Sequence, residues 1–358
     1  MLVHSDLWLD QPDAHDRIEA RRRAGVLTAI EAEQLHGYVD NGYIKLALGL
    51  DEAFCEALDA EIGALWEQRP ADLAVSPFLG GPISFPDYRG PVRERGYRLP
   101  DLHGHSQHAL DLYLHPALFR LVELIFDEPA LAFQSLYFEH GSTQGLHRDS
   151  MFVATRPVSN LCAAWIALED ITPDSGPLAY VPGSHHLPWF EFEPGTVICG
   201  QNVSRERRAE FAVWQQEQLR ENGLERQAFT CSRGDVFIWH GGLVHGGDDI
   251  QTPGKTRKSF VVHYTTAANY DSRTARMQVR DGEGLRTVAR RTEKVIERDS
   301  ARGLDSPLRG SGELVSPKSA HPRPAARLAR LVERVNPWSE RRTVGSRSGR
   351  KAQRNKSA

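Results

Sequence analysis

GDVFIWHGGLVHGGDDIQTPGKTRKSFVVHYT, residues 234–265, contains two runs that favour β-strands, GDVFIWH and RKSFVVHYT, separated by glycine- and proline-rich turns. Both runs are rich in β-branched and aromatic residues, which pack well on a pleated surface. Earlier runs have the same composition: LAFQSLYFEH, SNLCAAWIAL and GPLAYVP. Many short strands bounded by turn residues are typical of a β-sandwich or barrel.

The chain before residue 131 has a helical pattern instead. In LTAIEAEQLHGYVDNGYI, residues 27–44, Thr28 can cap a helix, Glu31 completes a capping box, and Asn41-Gly42 ends the helix. Helices first and strands afterwards predict an α+β fold, mainly β, in which a helical layer packs on the strands. Further helices are predicted from the spacing of apolar residues over 51–68, 115–126 and, as an insert between strands, 204–223.

Three segments differ in character along the chain. Residues 1–25 lack periodicity, and we expect them to lie loose or to wrap the surface. Residues 26–270 form the predicted domain, with a long loop over 70–105 that is rich in Pro, Gly and Arg. Residues 271–358 form an extension predicted to be largely disordered, with one short amphipathic helix over 325–335.

The composition is that of an ordinary globular protein. Of the 358 residues, 40% are hydrophobic and 25% are charged. The four cysteines are far apart and form no CxxC, which favours reduced thiols over a disulfide frame or a zinc site. The sequence has no secretory signal pattern and no run of apolar residues long enough to span a membrane. We therefore expect a cytoplasmic protein.

The tail differs from the body in charge. Residues 321–358 hold eleven Lys and Arg against two Glu, a net charge of +9 in a chain whose total is −3. A disordered, solubilising tail is the simplest interpretation. Alternatives are a basic helix on an anionic membrane surface or a partner, and electrostatic contact with nucleic acid. No nucleic-acid-binding module is recognisable in the body, so we expect no specific nucleic-acid partner.

Two His-x-Asp pairs could each offer two ligands to a metal ion. His4 and Asp6 lie in the unpatterned N-terminus, whereas His147 and Asp149 follow a predicted strand and a glycine turn, and are predicted to begin another strand, HRDSMFV. Residues two apart on a strand project from one face. Preorganised ligands belong on rigid elements, so the second pair is the candidate metal site.

A third ligand and an anion partner follow in the sequence that opened this section. Iron in non-haem oxygenases is held by two His and one carboxylate. His245 is the candidate second histidine, while His240 and His263 remain alternatives that residue context assigns more readily to structural roles. Arg257 begins the next strand and offers a planar, permanently charged fork to a dicarboxylate whose other end binds the metal.

These motifs resemble the phytanoyl-CoA dioxygenase family of Fe(II)- and 2-oxoglutarate-dependent oxygenases. The resemblance covers roughly residues 26–268 and is carried by four stretches: LTAIEAEQLHGYVDNGYI, SLYFEHGSTQGLHRDS, AAWIALEDITPDSGPLAYVPGSHH and the opening stretch. It implies a double-stranded β-helix, or jelly roll, with the N-terminal helices packed on one sheet.

The resemblance also implies roles for single residues. His147, Asp149 and His245 are the implied iron ligands, and no other catalytic residue is implied. The remaining assignments concern 2-oxoglutarate: Arg257 for its distal carboxylate, Trp165 in its pocket, Gln134 on a neighbouring strand, and Ser259. Ser259 is included because family members often carry a serine two residues after the second histidine ligand, where this chain has Gly247.

The implied reaction consumes 2-oxoglutarate and O2, releases succinate and CO2, and oxidises a C–H bond of a small or medium organic metabolite. Asp149 is informative because iron halogenases of this class have a small residue in place of the carboxylate; its presence favours hydroxylation or a related oxidation. For the substrate, His103 and Arg98 are weak candidates. Two rival functions stay open: a non-catalytic metal- or 2-oxoglutarate-binding regulator, and a jelly-roll metalloenzyme that does not use 2-oxoglutarate.

Overall fold

The computed structural model describes residues 4–77, 82–90, 93, 96–153, 155–200, 203–270, 281–282, 285–289 and 295–299. The α-helices are α1 Ala14–Arg23, α2 Ala29–Asn41, α3 Glu52–Gln68, α4 Gln107–Tyr113, α5 Pro116–Phe126 and α6 Arg205–Glu221. The strands are β1 Tyr43–Ala47, β2 Ala74–Pro77, β3 Ile83–Ser84, β4 Tyr97–Pro100, β5 Ala130–Phe138, β6 Cys162–Ala167, β7 Leu178–Tyr180, β8 Gln227–Phe229, β9 Asp235–His240, β10 His245–Gly247, β11 Ser259–Thr266, β12 Asp281–Gly282, β13 Leu285–Ala289 and β14 Val295–Asp299.

Two antiparallel sheets form the β-structure around the site. The large sheet has the order β1-β9-β6-β11-β5-β4-β2-β3, and the small one has the order β10-β7-β8. Several strands that are neighbours in these sheets are distant in sequence, as in β11 between β5 and β6. Non-local pairing of this kind, with helices added, agrees with the predicted jelly roll.

The two faces of the large sheet bury different sets of side chains, because successive residues of a strand point to opposite sides. On the outer face, Ile166 and Val262 join one apolar cluster with Leu35 of α2, Ile62 of α3 and Val122 of α5. On the inner face, a second cluster faces the small sheet and contains Leu136, Phe138, Ala163, Trp165, Ala167, Leu178, Tyr180, Phe237, Trp239 and Val261. The inner face is where the candidate site lies.

Helix α2 forms for the reasons that the sequence suggested. Thr28 accepts a hydrogen bond from the backbone N–H of Glu31, and the Glu31 side chain accepts one from the backbone of Thr28. Gly42 ends the helix with φ 81°, a left-handed conformation that favours glycine. The chain then enters β1 directly.

Residues 4–25 are packed against the helical layer, so of the two predicted arrangements, loose or wrapped over the surface, the structure excludes the loose one for these residues. Trp8 is buried, its indole N–H donates to the carbonyl of Leu124 at 2.9 Å, and the Arg21 guanidinium lies 4.1 Å from the ring centroid. Only Ala14 and Ile18 of α1 are buried. With so few buried positions, the helix has no apolar stripe from which periodicity could detect it.

Other differences are local. Short strands β2, β3 and β4 lie within the region predicted as a long loop, and α4 follows them. In the extension, β12, β13 and β14 form a small antiparallel sheet where disorder was predicted. The predicted helix over 325–335 lies outside the described residues. In the part of the chain that the structure describes, no helix is both long and apolar enough to cross a membrane.

Candidate metal centre and anion pocket

His147 and Asp149 project together, although the strand predicted for HRDSMFV is not formed. Residues Asp149–Met151 form a short 3-10 helix, and only His147 makes a β-bridge. Arg148 between them is extended, with φ −118° and ψ 128°. One extended residue is enough to place the side chains of its two neighbours on the same side. The spacing of His147 and Asp149 therefore brings them together without a full strand.

The third ligand, His245, comes from the small sheet. Its backbone and that of His147 exchange both N–H···O hydrogen bonds, at 2.8 and 2.9 Å. Asp149 Oδ1 then lies 3.4 Å from His147 Nε2 and 3.6 Å from His245 Nε2. All three residues are buried, and their ligand atoms lie within 4.8 Å of one another. Among the described residues, this is the group of His, Cys, Asp and Glu side chains that could hold a metal ion.

Hydrogen bonds prepare both imidazoles for metal binding. His147 Nδ1 lies 2.8 Å from the carbonyl of Gly145, and His245 Nδ1 lies 3.0 Å from the carbonyl of Leu243. A carbonyl only accepts, so Nδ1 carries the proton in each ring and Nε2 presents its lone pair. Burial lowers the pKa of His245 to about 4, which keeps this ring neutral at physiological pH.

The Asp149 carboxylate is ionised despite its burial. Burial by itself raises its pKa, but at a pH low enough to protonate the rings, the imidazoles of His245, His147 and His263 outweigh that effect and hold the pKa of Asp149 well below its usual value. Two neutral nitrogens and one carboxylate oxygen suit a divalent transition metal of the iron type.

His240 and His263, the alternative metal contacts, have different roles. His240 Nε2 lies 3.2 Å from Asp10 Oδ2, and its Nδ1 accepts from the backbone N–H of Gly242 at 2.9 Å, so both ring nitrogens are used structurally. His263 instead lies against Asp149, with Nε2 3.3 Å from Oδ2, the carboxylate oxygen that faces away from the two histidine ligands.

A buried cation lies at the other end of the inner face. The Arg257 side chain donates from Nη1 to the carbonyl of Gly176 at 2.8 Å, and its Nε has no hydrogen-bond partner among the described residues. Burial lowers the pKa of Arg257 to about 10, so it remains charged at neutral pH. The carboxylate of Asp248 attracts this guanidinium but is itself paired with Arg226, and Arg257 forms no ion pair among the described residues. A buried charge without an ion pair is costly, which indicates that an anion binds here.

Two glycines make room for this guanidinium. A Cβ at Gly141, which has φ +70°, would lie 2.5 Å from Arg257 Nε, and a Cβ at Gly247 would lie 3.1 Å from both Nη atoms. The same Cβ at Gly247 would lie 2.6 Å from Ser142 Oγ. The Ser142 hydroxyl therefore takes the space that a larger residue at 247 would need. No spacing rule in the sequence pointed to Ser142.

The other residues assigned to the co-substrate also face inward. Ser259 lies opposite Phe138 and Ala167, both inner-face residues. Gln134 Nε2, Trp165 Nε1 and Ser259 Oγ are among the buried polar atoms that have no hydrogen-bond partner in the described part of the chain. The register places them along β11 between His263 and Arg257, and buried polar groups are nearly always satisfied in folded proteins, so this row of open donors indicates a ligand-binding surface.

The two weak substrate candidates are placed on opposite faces. His103 Nδ1 lies 2.7 Å from Ser135 Oγ, and its ring stacks on Tyr113 at 3.7 Å. Ser135 is the register partner of the outer-face residue Val262, so His103 belongs to the helical layer and is not brought to the metal ligands. Arg98 pairs with Phe138 and is buried on the inner face.

The first His-x-Asp pair is not brought into a metal-binding group. The His4 ring stacks on Trp189 at 5.6 Å, and Asp6 accepts a hydrogen bond from the Asn160 side chain. Sequence reasoning missed Arg148, which is fully buried and donates to the carbonyl of Pro188 at 3.0 Å. This bond joins the metal-ligand segment to the segment between β7 and α6.

The sequence model of the family described as phytanoyl-CoA dioxygenase matches residues 38–259. The chain belongs to the phytanoyl-CoA dioxygenase family. The match includes the three candidate ligands and Arg257, the residues on which the resemblance was based. Their convergence around the inner face agrees with that membership.

Individual relatives of this family member are distant. It is 28% identical over 188 residues to phytanoyl-CoA dioxygenase domain-containing protein 1 of Bos taurus, covering 46% of this chain and 57% of the relative. To the homologue from Caenorhabditis elegans it is 32% identical over 183 residues, covering 46% and 59%. The chain thus matches a little over half the length of these curated relatives.

A solved structure supports the fold. The non-heme alpha ketoglutarate dependent carbocyclase SnoK from nogalamycin biosynthesis matches with a TM-score of 0.50 at 20% identity, covering 68% of this chain and 86% of that one. At this level of identity the likeness concerns the fold alone.

Proposed function

We propose that this protein is an Fe(II)- and 2-oxoglutarate-dependent dioxygenase that hydroxylates an unactivated C–H bond of a small or medium organic metabolite. One observation carries the proposal: a buried His-Asp-His group and a buried arginine that forms no ion pair among the described residues share one sheet face, with unsatisfied polar atoms between them. A dicarboxylate that binds a metal at one end and an arginine at the other fits this arrangement.

His147, Asp149 and His245 would hold the iron, leaving positions open for other ligands. The bound iron supplies the oxidation chemistry, in which O2 is consumed and 2-oxoglutarate is converted to succinate and CO2. Asp149 is an ionised carboxylate in this site, so the position that a halide would need is filled; this supports hydroxylation over halogenation.

The chain itself binds and orients the co-substrate. Arg257 offers its guanidinium to the distal carboxylate, and Ser142 and Ser259 offer hydroxyl groups at the same end. Trp165 and Gln134 present N–H donors along the inner face. The surrounding apolar side chains exclude water, which strengthens each of these interactions.

Two rivals share part of this site. A non-catalytic regulator would keep the ligands and the arginine without turnover, and a metalloenzyme of another kind would not need the arginine. The buried charge of Arg257 favours use of a dicarboxylate over the second rival. Turnover separates the proposal from the first.

The test is succinate formation coupled to O2 uptake by the iron-loaded protein in the presence of 2-oxoglutarate and a cell-extract fraction. Mass spectrometry of the extract should show a product that has gained one oxygen atom. Asp149→Ala should abolish both signals, and His4→Ala, at the pair that lies outside the metal group, should retain them. Undiminished succinate formation by Asp149→Ala would overturn the proposal, and metal and 2-oxoglutarate binding without turnover across a broad substrate panel would favour the regulator.

A further inference from the structure

We propose that Trp239 and His263 form a carboxylate clamp that restricts Asp149 to binding the metal through one oxygen. The inference rests on the metal site of the proposed function and concerns two residues that hold a ligand without being ligands. In the clamp, the two side chains approach the same oxygen of Asp149, the one turned away from His147 and His245.

The two oxygens of Asp149 have different surroundings. Oδ1 lies 3.4 Å from His147 Nε2 and 3.6 Å from His245 Nε2. Oδ2 accepts a hydrogen bond from the Trp239 indole N–H at 3.0 Å and lies 3.3 Å from His263 Nε2. A carboxylate can bind a metal through one oxygen or two. Here the second oxygen is already occupied by protein donors.

The chemistry of the partners fixes the direction of the Trp239 hydrogen bond and the position of the proton that the His263 contact needs. An indole N–H only donates, and an ionised carboxylate only accepts. His263 Nε2 must therefore carry a proton to bond with Oδ2. Two donors on one oxygen hold it more firmly than one, because hydrogen bonds to a charged acceptor are each stronger than neutral ones.

The sheet register explains how both donors reach one oxygen. Trp239 in β9 pairs with Ala163 in β6, and Ala163 pairs with His263 in β11. The two rings thus rise from alternate strands with a methyl side chain between them. Neighbouring strands are about 4.8 Å apart, so the rings stand roughly 10 Å apart at their base. A larger side chain at 163 would enter the gap below the Asp149 carboxylate.

Trp239 also contacts a second ligand. Its ring centroid lies 4.7 Å from that of His245, so one indole orients both the carboxylate and an imidazole. Residues that contact a metal ligand without binding the metal orient that ligand and influence how many coordination positions it takes. One-oxygen binding by Asp149 would leave three positions of a six-coordinate metal open for the co-substrate and O2, whereas two-oxygen binding would leave only two.

The test uses Co(II) as the probe, because its visible absorption bands report coordination number without requiring turnover. Trp239→Phe keeps an aromatic ring but removes the N–H together with part of the indole's volume, and His263→Leu removes the other donor. Each variant should bind Co(II) about 10- to 100-fold more weakly and show altered visible bands. His263→Gln restores an N–H donor and should recover most of the affinity and the wild-type bands.

Trp66→Phe is the matched control, because Trp66 is a buried tryptophan in the helical layer, away from the metal ligands. It should bind Co(II) as the wild type does. Wild-type affinity and bands in both Trp239→Phe and His263→Leu would overturn the clamp. Failure of the wild-type protein itself to bind Co(II) or Fe(II) would instead overturn the metal site, so the two failures are distinguishable.

Discussion

Replacing Arg257 by Ala should weaken 2-oxoglutarate binding far more than it affects metal binding. The Arg257 guanidinium is buried, it is charged at neutral pH, and its described hydrogen bond is to the carbonyl of Gly176. Removing one partner of a buried ion pair costs about 3–5 kcal/mol, because the other charge is left uncompensated. At about 1.4 kcal/mol per tenfold change, the Kd should rise between about a hundredfold and a few thousandfold.

An anaerobic titration of the Fe(II)-loaded protein with 2-oxoglutarate measures this change, through the charge-transfer absorption of the complex. Arg233→Ala is the matched control. Arg233 also has a buried Nε without a partner among the described residues. It lines a different cavity, of about 410 Å³, which lies beside α3 and is also lined by outer-face residues such as Leu58. Its replacement should leave the 2-oxoglutarate Kd unchanged.

Arg257→Lys should fall between Ala and the wild type, because an ammonium keeps the charge without the two-pronged geometry. Less than a threefold change in Kd for Arg257→Ala, about 0.6 kcal/mol, would refute the reasoning, since leaving a buried carboxylate without its charge partner costs more than that. The same result would favour a metalloenzyme that does not use 2-oxoglutarate.

Further predictions concern positions away from the ligands. Ser142→Ala should raise the 2-oxoglutarate Kd by roughly 10- to 100-fold, the value of a hydrogen bond to a charged group. Gly247→Ser alone should also weaken 2-oxoglutarate binding, because the new Cβ would lie 2.6 Å from Ser142 Oγ. The double variant Ser142→Gly/Gly247→Ser moves the hydroxyl group from position 142 to position 247 and should restore the wild-type Kd. A double variant that binds no better than either single variant would contradict this exchange. Asp10→Asn tests the N-terminal anchor: burial raises the pKa of Asp10, but His240 and Ser5 lower it to about 2 from 3.8. A carboxyl whose pKa is lowered on folding stabilises the fold above pH 4 and loses that contribution as the pH falls. Between pH 5 and pH 2, the free energy of unfolding measured in urea should fall by about 2 kcal/mol more for the wild type than for Asp10→Asn. Parallel pH profiles of the two proteins would argue against the contact.

The metal ligands and Arg257 could be predicted from the sequence, because each belongs to a short motif that can be arranged in only a few ways. His147 and Asp149 need only one extended residue between them to project together. His245 and Arg257 flank a turn between predicted strands, and their order along the chain limits where each can lie. The family resemblance then supplied roles that spacing alone left open.

Contacts between distant elements could not be predicted in the same way. His240 and His263 both lie in strands and are both buried, and only the register of β9, β6 and β11 separates the structural histidine from the one that contacts Asp149. The Ser142 hydroxyl fits in its place because Gly247, more than a hundred residues away in the sequence, has no side chain there.

The N-terminal anchor has a practical consequence for truncation and proteolysis. A truncated protein that began at residue 26, the start of the sequence-predicted domain, would lack Trp8 and Asp10, leaving the carbonyl of Leu124 and His240 without these partners. His240 adjoins Trp239 in β9. Cleavage near residue 13 would therefore disturb the strand that carries one half of the carboxylate clamp, and a shortened protein could lose metal affinity with every metal ligand intact.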